Sequence, residues 1–188
     1  MSKNIVYFKE RQAWRKWLEE HFETDKEVWF TFPTVNSGEK GVSYNDAVEE
    51  ALCFGWIDGV TGTLDKTHQL RRFTPRRKDS GYSQLNIERL IVLDKQGMVH
   101  PKMQESVKKV IEKPFVFPKD IIKKLQKDEV VWNNYLGFTD SYKRIRIAHI
   151  DSARKRPAEF KKRLENFIKK TRENKIVTAY GGSEKYYK

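Results

Sequence analysis

The sequence predicts an α+β fold, in which a small antiparallel sheet is backed by helices and followed by a mostly helical, basic C-terminal half. Apolar and polar residues alternate over residues 28–32, a pattern typical of a half-buried strand. Residues 56–64 and 70–74 indicate two more strands, joined by a turn at residues 65–68. Beyond Pro75 the apolar residues recur instead at helical spacing. Strands followed by a run of helices predict the α+β class.

Two helices flank the first of these strands. The first covers residues 10–21, and one of its faces carries the apolar residues Ala13, Trp14, Trp17 and Leu18. The second begins at Ser43, whose hydroxyl can cap a helix together with Asp46 three residues later. It ends at Gly55, because glycine favours the left-handed conformation found just beyond a helix. Cys53, near this end, is expected to be a small buried hydrophobe and not a nucleophile.

The second half of the chain contains further helical patterns. One begins at Ser83 and ends at Gly97, and another opens at Pro101. Residues 113–118 form a linker or an extended arm that lays two phenylalanines on the body of the protein. Other helices are expected after Pro118, near Trp132, after Thr139 and after Pro157. The last of these has the clearest apolar stripe, formed by Phe160, Leu164, Phe167, Ile168 and Thr171.

We expect two regions along the chain. Residues 1–112 form the α+β core, which contains the ALCFGWID segment and the PRR segment. Residues 113–188 form a helical C-terminal region that packs on this core. The tail from Val177 contains two adjacent glycines and is expected to be frayed.

The net charge of +12 is distributed unevenly. Residues 1–65 hold 7 Lys and Arg against 12 Asp and Glu, whereas residues 66–188 hold 31 against 14. The first part therefore carries −5 and the second +17. Such asymmetry indicates an anionic partner for the second part, most often nucleic acid, and a lysine-rich solvated surface is the competing interpretation.

Three features limit the class of protein. No apolar run approaches the roughly 20 residues that a membrane helix needs, so no membrane insertion is expected. The N-terminus lacks the apolar stretch of a signal peptide and reaches a charge by Lys9. A single cysteine excludes an internal disulfide framework. Together they predict a cytoplasmic protein, whose oligomeric state does not follow from the sequence.

Three segments carry a resemblance to a known family. They are ALCFGWIDG (51–59), RRFTPRRKDSGYSQLN (71–86) and GMVHPKM (97–103). In this order they resemble motifs of the YdeI/OmpD-associated family, often described as bacteriocin-protection proteins, and the similarity extends over nearly the whole chain. Tyr82 departs from the pattern, because the family usually has Trp there, and the basic C-terminal segment matches only approximately. The resemblance implies a family and a fold, but no reaction and no catalytic residue.

The motif positions predict a pocket for an anion or another small ligand. Arg76 and Arg77 precede a helix N-terminus, whose free N–H groups favour an anion, and guanidinium groups match phosphate or carboxylate at two points. Trp56 and Asp58 share one face of their strand, because they lie two residues apart. The predicted ligand-binding residues are Trp56, Asp58, Arg72, Arg76, Arg77, Ser80, Tyr82, Ser83 and Asn86.

Asp58 has two competing interpretations. A half-buried carboxylate needs a cation, so Asp58 is expected to pair with an arginine of the return strand, Arg71 or Arg72. It would instead be the general base if the same pocket belonged to an enzyme. The histidines are scattered, and no zinc spacing, phosphate loop or nucleophile elbow is present. We therefore expect no metal and no cofactor, and the sequence favours a binding protein over an enzyme.

A second hypothesis makes the protein a non-specific nucleic-acid-binding module. Residues 143–175 carry 13 Lys and Arg against four acidic residues, a net charge of +9. The helix after Pro157 places four lysines beside its apolar stripe: Lys161, Lys162, Lys169 and Lys170. These lysines could follow a phosphate backbone. Because no sequence-reading motif is evident, a solvated lysine face explains the same pattern.

Overall fold

The computed structural model describes residues 4–77, 80–178 and 182–187. Within them the chain forms four strands and eight α-helices, which confirms the α+β class. In chain order these are β1 (Ile5–Val6), α1 (Arg11–His21), β2 (Val28–Pro33), α2 (Tyr44–Cys53), β3 (Trp56–Thr63), β4 (His68–Pro75), α3 (Gln84–Lys95), α4 (Gln104–Ile111), α5 (Lys119–Leu125), α6 (Glu129–Gly137), α7 (Asp140–Asp151) and α8 (Pro157–Arg172). Short 3-10 turns lie at Val35–Ser37, Pro101–Met103 and Ser183–Tyr186.

The described residues divide into two compact units, and α3 contributes to both. The first unit contains the residues up to Gly81 together with Leu90–Lys109. The second unit contains Tyr82–Arg89 together with the residues from Val110 onward. The beginning of α3 therefore belongs to the second unit, and its remainder belongs to the first.

The sheet lies in the first unit and has the strand order β1-β2-β4-β3. β4 pairs antiparallel with both β2 and β3, as the sequence predicts. β1, which the sequence does not predict, pairs parallel with β2, so the sheet is mixed although its three predicted strands are antiparallel. β1 has only two residues, which is too short for an alternating pattern to reveal it.

Aromatic side chains join the sheet to α1. Trp14 is fully buried, and the centroid of its indole lies 5.0 Å from that of Phe30 and 5.6 Å from that of Phe73. The indole N–H of Trp14 also donates a 3.0 Å hydrogen bond to the carbonyl of Ala47 in α2. One face of the sheet is thereby fixed against the two helices. Because side chains alternate along a strand, residues two positions from Phe73 lie on the same face.

Two buried carboxylates link α1 and α2. Glu49 and Glu50 are 3% and 1% exposed, which would be costly without cations nearby. Arg11 Nε lies 2.5 Å from one oxygen of Glu50, and Arg15 Nη1 lies 2.8 Å from the other. Arg15 also donates to the carbonyl of Met98. The pairing satisfies Glu50 at both oxygens and sets the orientation of the two helices.

The end of α2 requires a glycine. Gly55 has φ +72°, the left-handed conformation that the sequence predicts there. A Cβ atom at this position would lie 2.7 Å from Sδ of Met103, so the site also lacks space. Cys53 is fully buried just before it, and this burial, with the charge of Glu50, raises the pKa of the thiol to about 12. The thiol therefore stays protonated near neutral pH, as expected of a core residue.

The second unit is helical and has its own apolar core. Phe115 and Phe117 pack edge to face, with ring centroids 4.8 Å apart, and both lie against that core. The arm that precedes α5 therefore covers part of this helical unit. The buried residues of the core are Ile121, Leu125, Val131, Tyr135, Tyr142, Ile147, Ile150, Leu164 and Phe167. None of the helices in the described part of the chain is long and apolar enough to cross a membrane.

The C-terminal tail is more ordered than the sequence predicts. Residues 179–181 lie outside the described residues, but Ser183 is fully buried within a 3-10 turn. The carbonyl of Tyr187 accepts a 2.7 Å hydrogen bond from Thr139, and its hydroxyl accepts one of 2.6 Å from Arg146. The expectation of a frayed tail is therefore wrong for residues 182–187, because polar contacts from Thr139 and from Arg146 of α7 hold them.

Candidate functional site

A cleft of about 480 Å³ opens in the first unit. It is lined by residues 32–35 from the end of β2, by Glu39 and residues 41–44 leading into α2, by Thr61 of β3 and by residues 69–71 of β4. Its size falls within the range of small-molecule sites in proteins, which is roughly 300–1,000 Å³. The cleft therefore has the dimensions of a ligand site.

Arg71 is the cation of this cleft. It lies two residues before Phe73, so the strand directs it to the same face of the sheet. Its guanidinium carbon lies 4.9 Å from the centroid of the Tyr44 ring, and Nη1 donates a 3.3 Å hydrogen bond to the carbonyl of Gly59. Among the described residues, Nε and Nη2 of Arg71 have no protein acceptor. One edge of the guanidinium is therefore available to a ligand.

A carboxylate lies behind Arg71. Asp58, whose side chain is 18% exposed, accepts a 2.7 Å hydrogen bond from the hydroxyl of Tyr44 and lies 3.8 Å from Nη1 of Arg71. The pairing of β3 with β4 shifts register between Asp58 and Thr61, a bulge at the position where the sequence predicts that Gly59 permits one. This bulge brings the carbonyl of Gly59 to the guanidinium.

The N-terminus of α2, at the edge of the cleft, is already capped. The Ser43 hydroxyl accepts a 3.1 Å hydrogen bond from the backbone N–H of Asp46 and donates one of 2.7 Å to the Asp46 carboxylate. The hydroxyl cap is the one that the sequence predicts, but the Asp46 carboxylate contacts that hydroxyl, whereas in a capping box it would accept from the backbone N–H of Ser43. The carboxylate also places negative charge at this helix end. An anion in the cleft would therefore be bound by Arg71 and not by the end of α2.

Glu39 supplies the second full charge of the cleft lining. Its Oε1 lies 3.3 Å from Nε2 of His68, whose Nδ1 lies 3.0 Å from the carboxylate of Asp65. The hydrogen bond with Asp65 raises the pKa of His68, and the negative charge of Glu39 adds to this effect. The backbone N–H and the hydroxyl of Thr67 lower the pKa of Asp65 to about 2. Glu39 is thereby tied to the turn between β3 and β4.

The structure places Trp56 and Arg72 away from the cleft. Trp56 is 1% exposed, and its indole N–H donates a 3.0 Å hydrogen bond to the carbonyl of Phe22. It is therefore a core residue, and no part of its ring lines the cleft. Arg72 lies on the opposite face of β4 from Arg71, where its Nε donates to Glu27 at 2.7 Å.

The two arginines of the PRR segment differ in their surroundings. Arg76 Nη2 donates to the carbonyl of Gly81 at 2.8 Å and to that of Ser80 at 3.2 Å, so it closes its own loop. Arg77 is exposed, and its carbonyl accepts from the hydroxyl of Ser80. Residues 78 and 79 lie outside the described residues. Neither Arg76 nor Arg77 lines the 480 Å³ cleft.

The remaining predicted site residues belong to the second unit. Ser83 caps α3 as predicted, because its hydroxyl accepts a 3.3 Å hydrogen bond from the backbone N–H of Asn86. The Asn86 side chain in turn accepts from Arg89 at 2.8 Å. Tyr82 and Ser83 line a separate cavity of about 270 Å³, together with Phe115 and other residues of this unit. Ser83 and Asn86 therefore have local structural roles.

Sequence reasoning missed Tyr44 and Glu39 and gave Arg71 only a structural role. A signal for Arg71 existed, since its spacing from Phe73 places it on the core-facing side of β4. Tyr44 carries no such signal, because its ring reaches the arginine only when α2 packs on the sheet. Glu39 lies in a turn whose position depends on contacts distant in sequence.

Two of the four lysines of α8 form salt bridges with described residues, and the other two do not. Lys161 lies 3.8 Å from Glu165, and Lys170 lies 3.7 Å from Glu173. Lys162 and Lys169 are exposed and form no salt bridge among the residues that the structure describes, although they interact electrostatically with Glu159 and Glu173 respectively. The sequence of the second unit contains 21 Lys and Arg against 11 Asp and Glu, which is +10 of the total +12.

Family models match both parts of the chain. Residues 6–106, just over half of the 188 residues, match the model described as "Domain of unknown function (DUF8412)". The chain belongs to the DUF8412 family. Residues 114–174 match a second model, described as "Bacteriocin-protection, YdeI or OmpD-Associated", which confirms the family resemblance drawn from the sequence. No curated protein and no solved structure matched the chain.

The family matches and the sequence motifs assign the YdeI/OmpD-associated resemblance to different parts of the chain. The ALCFGWID, PRR and GMVHPKM segments all lie within the DUF8412 match, as does the cleft. The YdeI or OmpD-associated match covers α5 to α8, where the sequence resembles that family only approximately. The cleft is therefore a feature of the DUF8412 part. Within the described residues, no group of His, Cys, Asp and Glu is arranged to hold a metal ion.

Proposed function

We propose that this DUF8412 protein is a non-enzymatic binding protein for a small ligand with an anionic group, which Arg71 holds in the cleft. The observation that carries the proposal is the guanidinium edge formed by Nε and Nη2, which has no acceptor among the described residues and belongs to a concave lining. A guanidinium edge binds carboxylate or phosphate through two parallel hydrogen bonds. We therefore propose that the anion binds Arg71 and not Arg76 or Arg77.

The residues around Arg71 pre-organise its guanidinium for a ligand. The Tyr44 ring and the Gly59 carbonyl restrict the guanidinium before any ligand binds. Restriction in advance lowers the entropy lost on binding. Phe32 and Val42 add apolar contact surface to the same cleft. A polar anchor with apolar walls is the usual composition of a small-molecule site.

The geometry favours binding over a reaction. Asp58 does not line the cleft, and it accepts a hydrogen bond from Tyr44 while lying close to Arg71. A general base must reach the proton that it removes. An enzyme that uses Asp58 remains the alternative, and it requires a movement that brings this carboxylate into the cleft.

Titration calorimetry with inorganic phosphate and with N-acetyl-trialanine, a carboxylate without an ammonium group, tests the proposal. We expect Arg71→Met to weaken binding of whichever anion the protein takes by about tenfold or more, because a hydrogen bond to a charged group contributes about 1.5–3 kcal/mol. Arg76→Met is the matched control, since this arginine binds its own loop. Absence of binding by the wild type, or equal binding by Arg71→Met, would refute the proposal.

The charge of the second unit supports a second candidate function, non-specific binding of nucleic acid. Lys162 and Lys169 lie seven residues apart on α8, so they share its outer face at a separation of about 10 Å. Both are exposed and form no salt bridge among the described residues, so their ammonium groups can reach phosphates. Glu165 within α8 and Glu173, the residue that follows it, reduce the local excess of positive charge.

Fluorescence anisotropy with a random DNA duplex tests this second candidate. The wild-type affinity should fall steeply as salt increases from about 50 mM. The double variant Lys162→Gln/Lys169→Gln should reduce the log–log salt slope by about 2, since each lost phosphate contact removes about 0.9. Lys95→Gln/Lys108→Gln removes the same charge from exposed positions of the first unit and serves as control. A flat salt dependence would exclude the candidate.

A further inference from the structure

We infer that the ligand of the cleft is a short peptide of about three residues with free ends, whose carboxylate binds Arg71 and whose ammonium binds Glu39. This inference rests on the proposed function, because it adds a second anchor to the same cleft. Among the described residues of the lining, Arg71 and Glu39 are the two that carry full and opposite charges. Their charges cancel, so the lining suits a ligand that is neutral overall and charged at two separate points.

The spacing of the two anchors sets the length of the ligand. His68, whose Nε2 lies 3.3 Å from the Glu39 carboxylate, is three residues before Arg71 on β4. Three residues of a strand span about 10 Å, and side chains three positions apart point to opposite faces of it, so the two anchors are separated by at least about this distance. An extended chain reaches about 3.3–3.6 Å per residue, so a tripeptide also spans about 10 Å. A single amino acid, whose two charged groups are separated by one carbon atom, is too short to reach both anchors.

The residues between the anchors fit a peptide. The Thr61 hydroxyl and the Gln69 amide line the cleft and have no protein hydrogen-bond partner among the described residues. Such groups can donate to and accept from the peptide units of a ligand. Phe32 and Val42 offer apolar contact to its side chains. Glu39 is also suited to its role, because its side chain is 48% exposed while His68 restrains the carboxylate.

Three related probes separate this inference from the proposed function. Trialanine carries both charges, N-acetyl-trialanine keeps the carboxylate alone, and trialanine amide keeps the ammonium alone. We expect trialanine to bind at least about tenfold more tightly than either of the other two. Glu39→Gln should weaken trialanine to the level of N-acetyl-trialanine and leave N-acetyl-trialanine unchanged, whereas Arg71→Met should weaken both. Glu23→Gln, at an exposed ion pair of the same unit, is the control and should change neither.

The outcomes are distinguishable. If N-acetyl-trialanine binds as tightly as trialanine, and Arg71→Met weakens both, the peptide inference is wrong while the proposed anion site stands. If Glu39→Gln leaves trialanine binding unchanged, the ammonium does not bind Glu39 and the inference is again overturned. If neither phosphate nor either carboxylate-bearing probe binds, both this inference and the proposed function fail. A melting temperature for each variant separates loss of binding from loss of folding.

Discussion

The hydroxyl of Tyr44 donates a 2.7 Å hydrogen bond to Oδ2 of Asp58, and this contact joins the first residue of α2 to β3. The ring of the same tyrosine lies below the guanidinium of Arg71. Asp58 therefore acts on the cleft through Tyr44 and through its own charge, without lining the cleft itself. A carboxylate that holds a neighbouring ring in place is a positioning group, and its removal should affect stability more than affinity.

Replacing Asp58 by Asn tests this role. The amide oxygen can still accept from Tyr44, so we expect the free energy of unfolding to fall by about 1 kcal/mol or less. Binding of N-acetyl-trialanine should be retained or tightened, because a negative charge 3.8 Å from Arg71 is removed. Urea denaturation and titration calorimetry measure the two effects. A stable Asp58→Asn variant that no longer binds would show instead that Asp58 contacts the ligand.

The buried carboxylate of Glu50 should be important for stability. It is 1% exposed and lies between Arg11 and Arg15, so Glu50→Gln leaves two cations without their shared partner. Breaking a buried ion pair costs about 3–5 kcal/mol, and we expect a loss near the lower value because both arginines are partly exposed. Glu20→Gln, at an exposed pair with Lys16, should cost less than about 0.5 kcal/mol. Equal losses in urea denaturation would contradict this account of the α1–α2 contact.

Gly55 should tolerate substitution less well than Gly97. Both glycines have positive φ, +72° and +68°, so an alanine at either position is strained by about 1 kcal/mol. At Gly55 the new Cβ would also lie 2.7 Å from Met103 Sδ, whereas at Gly97 it would meet no atom within 4 Å. We expect Gly55→Ala to lower the melting temperature more than Gly97→Ala. The difference between the two variants measures the steric contribution, and a difference of zero would mean that Met103 moves aside freely.

His149 should make the protein less stable at acidic pH. Burial first, and then the positive charges of Arg163 and Arg146, lower its pKa to about 4. In the unfolded chain the pKa of histidine is about 6.5. Between these values the unfolded state binds a proton that the folded state does not, so the free energy of unfolding decreases as pH falls through this range.

Replacing His149 by Gln should remove this contribution. Urea denaturation at about pH 7 and about pH 5 should show a smaller loss of stability for His149→Gln than for the wild type. Other titrating groups, such as Asp65 and His68, affect both proteins equally and cancel in the comparison. An identical pH dependence in the two proteins would mean that His149 becomes protonated without cost in the folded state.

Local signals made most of the elements predictable. The Ser43 cap, the start of a helix after Thr139 and the stripe that follows Pro157 each depend on residues within a few positions, and the structure has all three. Gly55 is similar, because its left-handed conformation is a property of the helix end itself. Such features depend on backbone geometry that the sequence determines nearby.

The candidate site was less predictable because its contacts are distant in sequence. Arg76 turns to carbonyls of its own loop, and Trp56 turns into the core, although both belong to motif segments. Arg71 reaches the cleft only because the bulge in β3 and the packing of α2 place Gly59 and Tyr44 beside it. No pattern of spacing contains that information, since it arises from the way the elements pack.

Helix α3 affects how this chain can be divided. It runs without interruption from Gln84 to Lys95, yet Tyr82–Arg89 belongs to one unit and Leu90–Lys109 to the other. A fragment that starts at residue 113 would lack Glu88, whose buried carboxylate accepts two hydrogen bonds from Arg144 at 2.6 and 2.9 Å. Truncation at any single peptide bond therefore leaves at least one incomplete piece, so the two units depend on a shared, continuous polypeptide.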